Sequence, residues 1–409
     1  MNRQNRWGIY GCYLFGAAGI GFTLPFLALY LGQEGLSDQA IGWISTCAAL
    51  SGLAQFPLGL WSDRLGTRKP FLVVAAALLA ISAVLLERVH NVIGIAILVV
   101  LFAENGICRA VIESLTGAEV TARSSRDEIG TALGRLRMWK PVGIIAVALI
   151  GGGIAVHWGV GRMLTPVAVL QGLGFAAACL IRESRSGMAD TPSPTTEAHS
   201  TIRTLSTDGP LCWFILAMVL FHAANAPGGL YLGLHLKRGL QATDAWIAWA
   251  FVVSMIGWML IVWPGGRLAD RVGRRPMLIA AWGLMSVRLL FVAVATTPTQ
   301  IIVNQILDGA ANGLFAVLAA TWVTDRLADP GRTGEAQVIV GTSLVLGSAI
   351  GPAVSALLIE QLGYRGMFAA LAGLGAVATA VVVLFVPETL PQPREIPLAV
   401  QQEMCEQNA

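Results

Sequence analysis

The residues that could do chemistry in this chain are charged side chains set inside long apolar runs. Glu104, Glu113, Arg137, Lys140, Arg288 and Asp308 all stand in stretches otherwise built of Leu, Val, Ile, Ala and Gly. An ionisable group at the centre of a bilayer costs on the order of 2.5–3.5 kcal/mol on insertion scales, so it faces a cavity or a partner. Arg137 stands about eight residues into its run, roughly 12 Å deep at about 1.5 Å per residue, and needs an anion. If the preceding loop centres near Ser125, hairpin geometry puts Glu113 at the same depth. Arg109, four residues before Glu113, offers that carboxylate a local alternative. Lys140 shares a helical face with Arg137, which calls for an anionic substrate or a further carboxylate. Arg288 and Asp308 form a second candidate buried pair, and Glu104 is a competing titratable site. Such groups can bind a polar solute and take up and release a proton. No nucleophile constellation, metal-ligand spacing or phosphate-binding loop accompanies them, so neither an enzyme nor ATP-driven transport is expected, and no cofactor.

The elements that must position these charges are membrane helices. The chain of 409 residues is 55% hydrophobic and 12% charged, about half the charge of an ordinary soluble protein. Twelve apolar runs, from roughly 8–32 to roughly 365–386, are each long enough to cross a hydrocarbon core of about 30 Å. This predicts an all-α membrane protein of twelve transmembrane helices in two pseudo-symmetric six-helix bundles. The first bundle is residues 1–182 and the second 210–386. Between them, 183–209 is rich in Ser, Thr, Pro and Asp, a linker composition, and 387–409 is a polar, proline-containing tail. Seventeen Lys and Arg fall on the side of the termini against five on the other. The positive-inside rule therefore puts both termini in the cytoplasm of a cell whose plasma (inner) membrane holds the chain. The six cysteines carry no disulfide framework. Lipid bilayer, protons and a small-molecule substrate are the expected partners; nucleic acid is not, and a monomer is expected.

One short charged turn occurs twice. Gly59-Leu-Trp-Ser-Asp63-Arg64-Leu-Gly66-Thr-Arg68-Lys69-Pro70 follows the second run, and Gly266-Arg-Leu-Ala-Asp270-Arg271-Val-Gly273-Arg274-Arg275-Pro276 follows the eighth. Gly59 permits close helix contact and Gly66 relieves a tight turn. Asp63 can accept backbone N–H groups at a helix N-terminus. Arg64, Arg68 and Lys69 suit an anionic membrane face.

With this repeat, the chain resembles the major facilitator superfamily over essentially its whole length. The resemblance implies two six-helix bundles that rock about a midplane site, with Asp63 and Asp270 as gating residues and Gly59, Arg64, Gly66, Arg68, Gly266, Arg271, Gly273 and Arg275 completing the motif. Gly134-Arg135-Leu-Arg137-Met-Trp139-Lys140 is similar to the fifth helix of the lactose-permease-like proton symporters, and Met285-Ser-Val-Arg288 to their ninth. That pattern implies Glu119, eighteen residues upstream, as the partner of Arg137, so Glu113 and Glu119 both stand. It has a histidine where Asp308 stands and a glutamate where Ala311 stands, which makes Asp308 the expected proton-titrating carboxylate with Arg288 beside it. Its sugar-stacking tryptophan is replaced by Ile144, with Trp139 about a turn earlier. Gly347-Ser-Ala-Ile-Gly351-Pro352 resembles a drug-antiporter signature, but on the eleventh helix rather than the fifth. The expected function is proton-coupled transport of a sugar, glycoside, nucleoside or organic acid by alternating access. Drug or metabolite efflux by proton antiport is the alternative, and a non-transporting membrane sensor the reading from another class.

Overall fold

The computed structural model describes residues 3–123, 132, 135–182, 208–327 and 333–390. Ten helices are long and apolar enough to cross a membrane. One, Val338–Phe385, has 48 residues, about 72 Å at 1.5 Å per residue, more than twice a bilayer core. It is interrupted at Gly363, whose φ of 68° and ψ of 178° leave the helical region, and so makes two spans. A further span is the bent pair Gln4–Thr23 and Leu27–Gln33, inclined at 52° to each other across Pro25, which can donate no backbone N–H. The described residues thus carry twelve spans. They are α1 (the bent pair), α2 (Asp38–Ser62), α3 (Lys69–Leu86), α4 (Val92–Ala122), α5 (Arg135–Trp158), α6 (Val160–Leu180), α7 (Gly209–Gly239), α8 (Asp244–Val272), α9 (Arg274–Val294), α10 (Pro298–Leu327), α11 (333–362) and α12 (364–385).

Short polar caps start several of these helices. Ser37 Oγ accepts from Ala40 N at 3.2 Å, Asn91 Oδ1 from Gly94 N at 2.7 Å, and Asp208 Oδ1 from Leu211 N at 3.1 Å, each satisfying a donor that the first helical turn leaves free. Asp208 also holds Arg326 at 2.8 Å. It therefore belongs to the second bundle, while the rest of the expected linker, 183–207, lies outside the described residues. The tail was expected to begin at Pro387. In the structure 387–390 packs on α9 and α10, with Trp322 Nε1 donating to Pro387 O at 3.0 Å, and 391–409 lies outside the described residues.

Buried apolar side chains of the two halves form one continuous core. In the second half Phe214, Phe221, Trp282, Phe315 and Trp322 form one aromatic cluster with centroids 4.4–5.9 Å apart. The halves meet at the end opposite the two charged turns. Tyr231 Oη donates to Asp38 O at 3.1 Å and to Pro352 O at 3.3 Å, and Thr46 Oγ1 donates to Ala349 O at 2.6 Å. A Cβ on Gly42 would lie 2.8 Å from Ala356 Cβ and from Pro352 O. At the end that carries the turns, the bonds of Arg68 to Glu119, Arg274 to Asp325 and Arg326 to Asp208 each stay within one half. The molecule is closed at the far end.

Candidate transport site and loop motifs

In the second half the structure brings Arg288 and Asp308 together, NH1 to Oδ1 at 3.1 Å, with Arg288 only 1% exposed. Neighbouring helices complete a ring. Arg288 NH2 donates to Asn225 Oδ1 on α7 at 2.9 Å, Asn225 Nδ2 to Asn312 Oδ1 on α10 at 2.7 Å, and Asn312 Nδ2 to Asp308 Oδ1 at 3.0 Å. Ser254 on α8 donates to the other carboxylate oxygen, Oδ2. Asn304 Nδ2 holds the Arg288 backbone carbonyl at 2.9 Å. Sequence reasoning missed Ser254, Asn225 and Asn312, because isolated small polar residues in a helix carry no periodic signal.

In the first half the charges pair otherwise than expected. Glu113 takes Lys140, with Nζ at 2.9 Å from Oε2 and 3.2 Å from Oε1. Glu119 takes Arg68 at 3.4 Å and Arg123 Nε at 2.8 Å. Neither therefore pairs with Arg137, which is exposed and among the described residues makes no hydrogen bond or ion pair. Arg137 and Lys140 both stand on α5, and Lys140, about one turn further along, is the cation that reaches Glu113. Trp139 is 42% exposed, and Ile144 is buried against Ala17 and Ile20, with Met255 of the second half packed on them. Arg109 does not serve Glu113 either. It is buried, donates to Gly16 O at 3.2 Å and Thr23 Oγ1 at 3.1 Å, and lies 4.8 Å over the Phe102 ring. Glu104 sits in a break of α4, between the helix that ends at Phe102 and the one that starts at Ile107. It makes no hydrogen bond or ion pair among the described residues.

The two turns repeat in three dimensions, with one shift. Arg68 meets Glu119 at 3.4 Å and Arg274 meets Asp325 at 3.2 Å, and in both pairs the partners are 51 residues apart. The counterpart of Arg68 is therefore Arg274 rather than Arg275. Thr67 adds one residue between Gly66 and Arg68, so Gly59 to Gly66 match Gly266 to Gly273 from the front, while Arg68 and Pro70 match Arg274 and Pro276 only when counted back from the prolines. Arg275 instead donates to Val383 O at 2.6 Å. Gly66 (φ 66°) and Gly273 (φ 114°) both adopt the left-handed backbone that the turn demands. Gly59 does not mediate a close contact: a Cβ there meets nothing within 4 Å, and one on Gly266 meets Val317 Cγ1 at 3.4 Å. Arg64 and Arg271 are exposed.

Asp63 and Asp270 are in the last turns of their helices, Gln55–Arg64 and Asp244–Val272, not at a helix start. The Asp63 side chain lies outside the described set. Asp270 pairs with Arg274 four residues on. The carboxylate that caps α9 is Glu388, which accepts from Arg274 N at 2.8 Å and Arg275 N at 3.0 Å. Partial burial works against its charge, but the backbone N–H groups of Leu390, Arg275, Arg274 and Thr389 outweigh this and hold the carboxyl below the usual range. A depressed folded value stabilises at neutral pH and is lost as pH falls through it. Glu388→Gln is accordingly expected to lower the thermal midpoint at pH 7 by a few degrees and to narrow the gap to wild type as the pH is lowered below the ordinary glutamate range, read by differential scanning fluorimetry at both pH values.

These features have known relatives. The MFS_1 like family model matches residues 6–370. The chain is 24% identical over 379 residues to an uncharacterized MFS-type transporter of Mycobacterium tuberculosis, covering 90% of this chain and 89% of that one. It is 24% identical over 371 residues to the multi-drug resistance efflux pump PmrA of Streptococcus pneumoniae, covering 88% and 90%. The crystal structure of the nucleoside transporter NupG superposes with a TM-score of 0.81 at 14% identity, over 93% of this chain and 99% of that one. Twelve spans in two halves, a doubled loop motif and a family model that spans nearly the whole length place this chain in the major facilitator superfamily, as a multi-span integral membrane transporter of the MFS_1 like family.

Proposed function

We propose that the chain moves a small organic solute, a sugar, glycoside, nucleoside or organic acid, across the plasma (inner) membrane by proton-coupled alternating access, with both termini in the cytoplasm. The observation that carries this reading is the buried Arg288–Asp308 pair, a carboxylate held by three helices in a molecule closed at one end. Such a charge is expensive in a membrane unless it is used. The Glu113–Lys140 pair supplies a second charged wall in the first half. Residues 1–182 and 210–386 are the two moving units, and the proton gradient supplies the energy with no bound cofactor. Proton binding at Asp308 shifts the balance between facing states by its different free energy in each.

Efflux by proton antiport is the second reading, favoured by the similarity to PmrA across about nine-tenths of both chains. One experiment addresses both. Purified protein in proteoliposomes is given labelled uridine, xylose, citrate or ethidium under pH gradients of either sign. Gradient-driven accumulation of one of these is expected, with the productive sign giving the direction. Asp308→Asn is expected to reduce that accumulation to background while counterflow exchange persists. Accumulation that survives Asp308→Asn unchanged would remove Asp308 from the coupling site.

A further inference from the structure

We infer that Ser254 on α8 is the positioning residue for the transported proton, which resides on Asp308 Oδ2 and is donated in a hydrogen bond to Ser254 Oγ. This rests on the reading of Asp308 as the proton site and names the atom and the partner.

The argument follows from which groups can only donate. A guanidinium has five N–H donors and no acceptor. Arg288 NH2 faces Asn225, so the amide oxygen of Asn225 must point at Arg288. Its NH2 group then points at Asn312, whose oxygen accepts, and so the Asn312 NH2 group is left to face Asp308. Neither amide can flip without setting donor against donor. Asp308 Oδ1 is thereby held by two groups that only donate there, Arg288 NH1 at 3.1 Å and Asn312 Nδ2 at 3.0 Å. A proton on Oδ1 would collide with both.

Oδ2 faces a hydroxyl, which both donates and accepts. In the charged state Ser254 donates to Oδ2. A proton from the water that reaches the Asp308 side chain, which is 16% exposed, adds to Oδ2 and forms an O–H. The Ser254 hydroxyl hydrogen turns away to the carbonyl one turn back on its own helix, a common serine bond, and its oxygen accepts the new O–H. Release reverses these movements. Throughout, Oδ1 keeps both donors, so the Arg288–Asn225–Asn312 ring survives protonation.

Two glycines allow this contact. A Cβ on Gly309, beside Asp308, would lie 2.8 Å from Gly257 C and 2.5 Å from Trp258 N, so α8 and α10 touch backbone to backbone. Ser254, only 2% exposed, is pressed against the carboxylate with no room for an intervening water. The charged group facing Asp308 is Arg288 from α9. The neutral partners of Asp308 are Ser254 from α8 and Asn312 on its own helix; Asn225 of α7 stands behind Arg288, and the α7 histidine, His222, has its ring against Phe221 and Phe315.

Infrared difference spectra of the full-length protein in detergent, titrated with acid, test this without a substrate. The C=O stretch of protonated Asp308 is the band that Asp308→Asn removes. Ser254→Ala is expected to move that band to higher wavenumber, since the acid loses its acceptor, and Ser254→Thr to restore it. Should the alanine variant fail to fold, Ser254→Cys, a weak acceptor, gives a smaller shift in the same direction. An Asp308-sensitive band that neither Ser254→Ala nor Ser254→Cys displaces overturns the role of Ser254 and leaves Asp308 as the proton site. No Asp308-sensitive band at any pH overturns both.

Discussion

Arg288→Gln is expected to destabilise the second half by about 3–5 kcal/mol, the range for breaking a buried ion pair by removing one partner. Arg288 is 1% exposed and makes two bonds that a glutamine cannot both replace, one to Asp308 and one to Asn225. With it gone, Asp308 loses its cation in a site walled by α8, α9 and α10, and Asn225 Oδ1 loses its donor. The cost is the stranded carboxylate more than the lost attraction. Adding Asp308→Asn to Arg288→Gln is therefore expected to recover a large part of the loss, because a neutral amide can stay paired with Ser254 and Asn312. Thermal unfolding of the two single variants and the double variant, assembled as a double-mutant cycle, measures this. Additive losses would mean that the pair does not act as a unit. Neither arginine variant is expected to transport.

Asp38→Ala is expected to shift the resting population toward the state open at the far end by about five- to thirty-fold. Asp38, at the start of α2, receives Arg238 NH1 from α7 at 2.9 Å and the Tyr364 hydroxyl from α12 at 2.9 Å, and Arg238 also donates to Tyr364 at 3.2 Å. Both partners belong to the second half, so the cluster must break whenever this end opens. The Arg238 side chain is 43% exposed, so water screens its ion pair, which is held to a surface value of about 0.2–1 kcal/mol. The tyrosine bond to a charged oxygen adds about 1 kcal/mol. Together these give about 1–2 kcal/mol, with about 1.4 kcal/mol for each tenfold. The cluster exists only in the far-end-closed state, so its loss acts on one side of the equilibrium. Spin-label distances across the far end would report the shift. An unchanged distribution in both Asp38→Ala and Arg238→Ala would show that packing at Gly42 and Tyr231 alone holds this end shut.

Neither this cluster nor the Glu388 cap was legible in the sequence. Asp38, Arg238 and Tyr364 lie in three loop-proximal positions up to 326 residues apart, and each alone reads as an ordinary polar residue at a span end. The Arg288–Asp308 pair was legible because two opposite charges in adjacent apolar runs have few other partners. The same logic failed in the first half. There Arg68, Arg109, Arg123, Arg137 and Lys140 compete for Glu113 and Glu119, and depth along the helix does not rank them. Direction around each helix decides, and on α5 it gives Glu113 to Lys140 rather than to Arg137. The 51-residue spacing shared by Arg68–Glu119 and Arg274–Asp325 was present in the sequence, hidden by the single extra residue, Thr67.

Hydropathy and the doubled turn by themselves determined the twelve spans, the two halves and the class of transporter, because burying apolar runs in lipid and closing short helical hairpins are local demands that every stretch answers separately. Which carboxylate meets which cation, which end is closed, and which oxygen of Asp308 is free to take a proton were decided only by the tertiary structure. Those outcomes depend on helix rotation, on the breaks at Pro25 and Ala103–Gly106, and on the glycine contact between α8 and α10, and each is set by packing against helices far away in the chain.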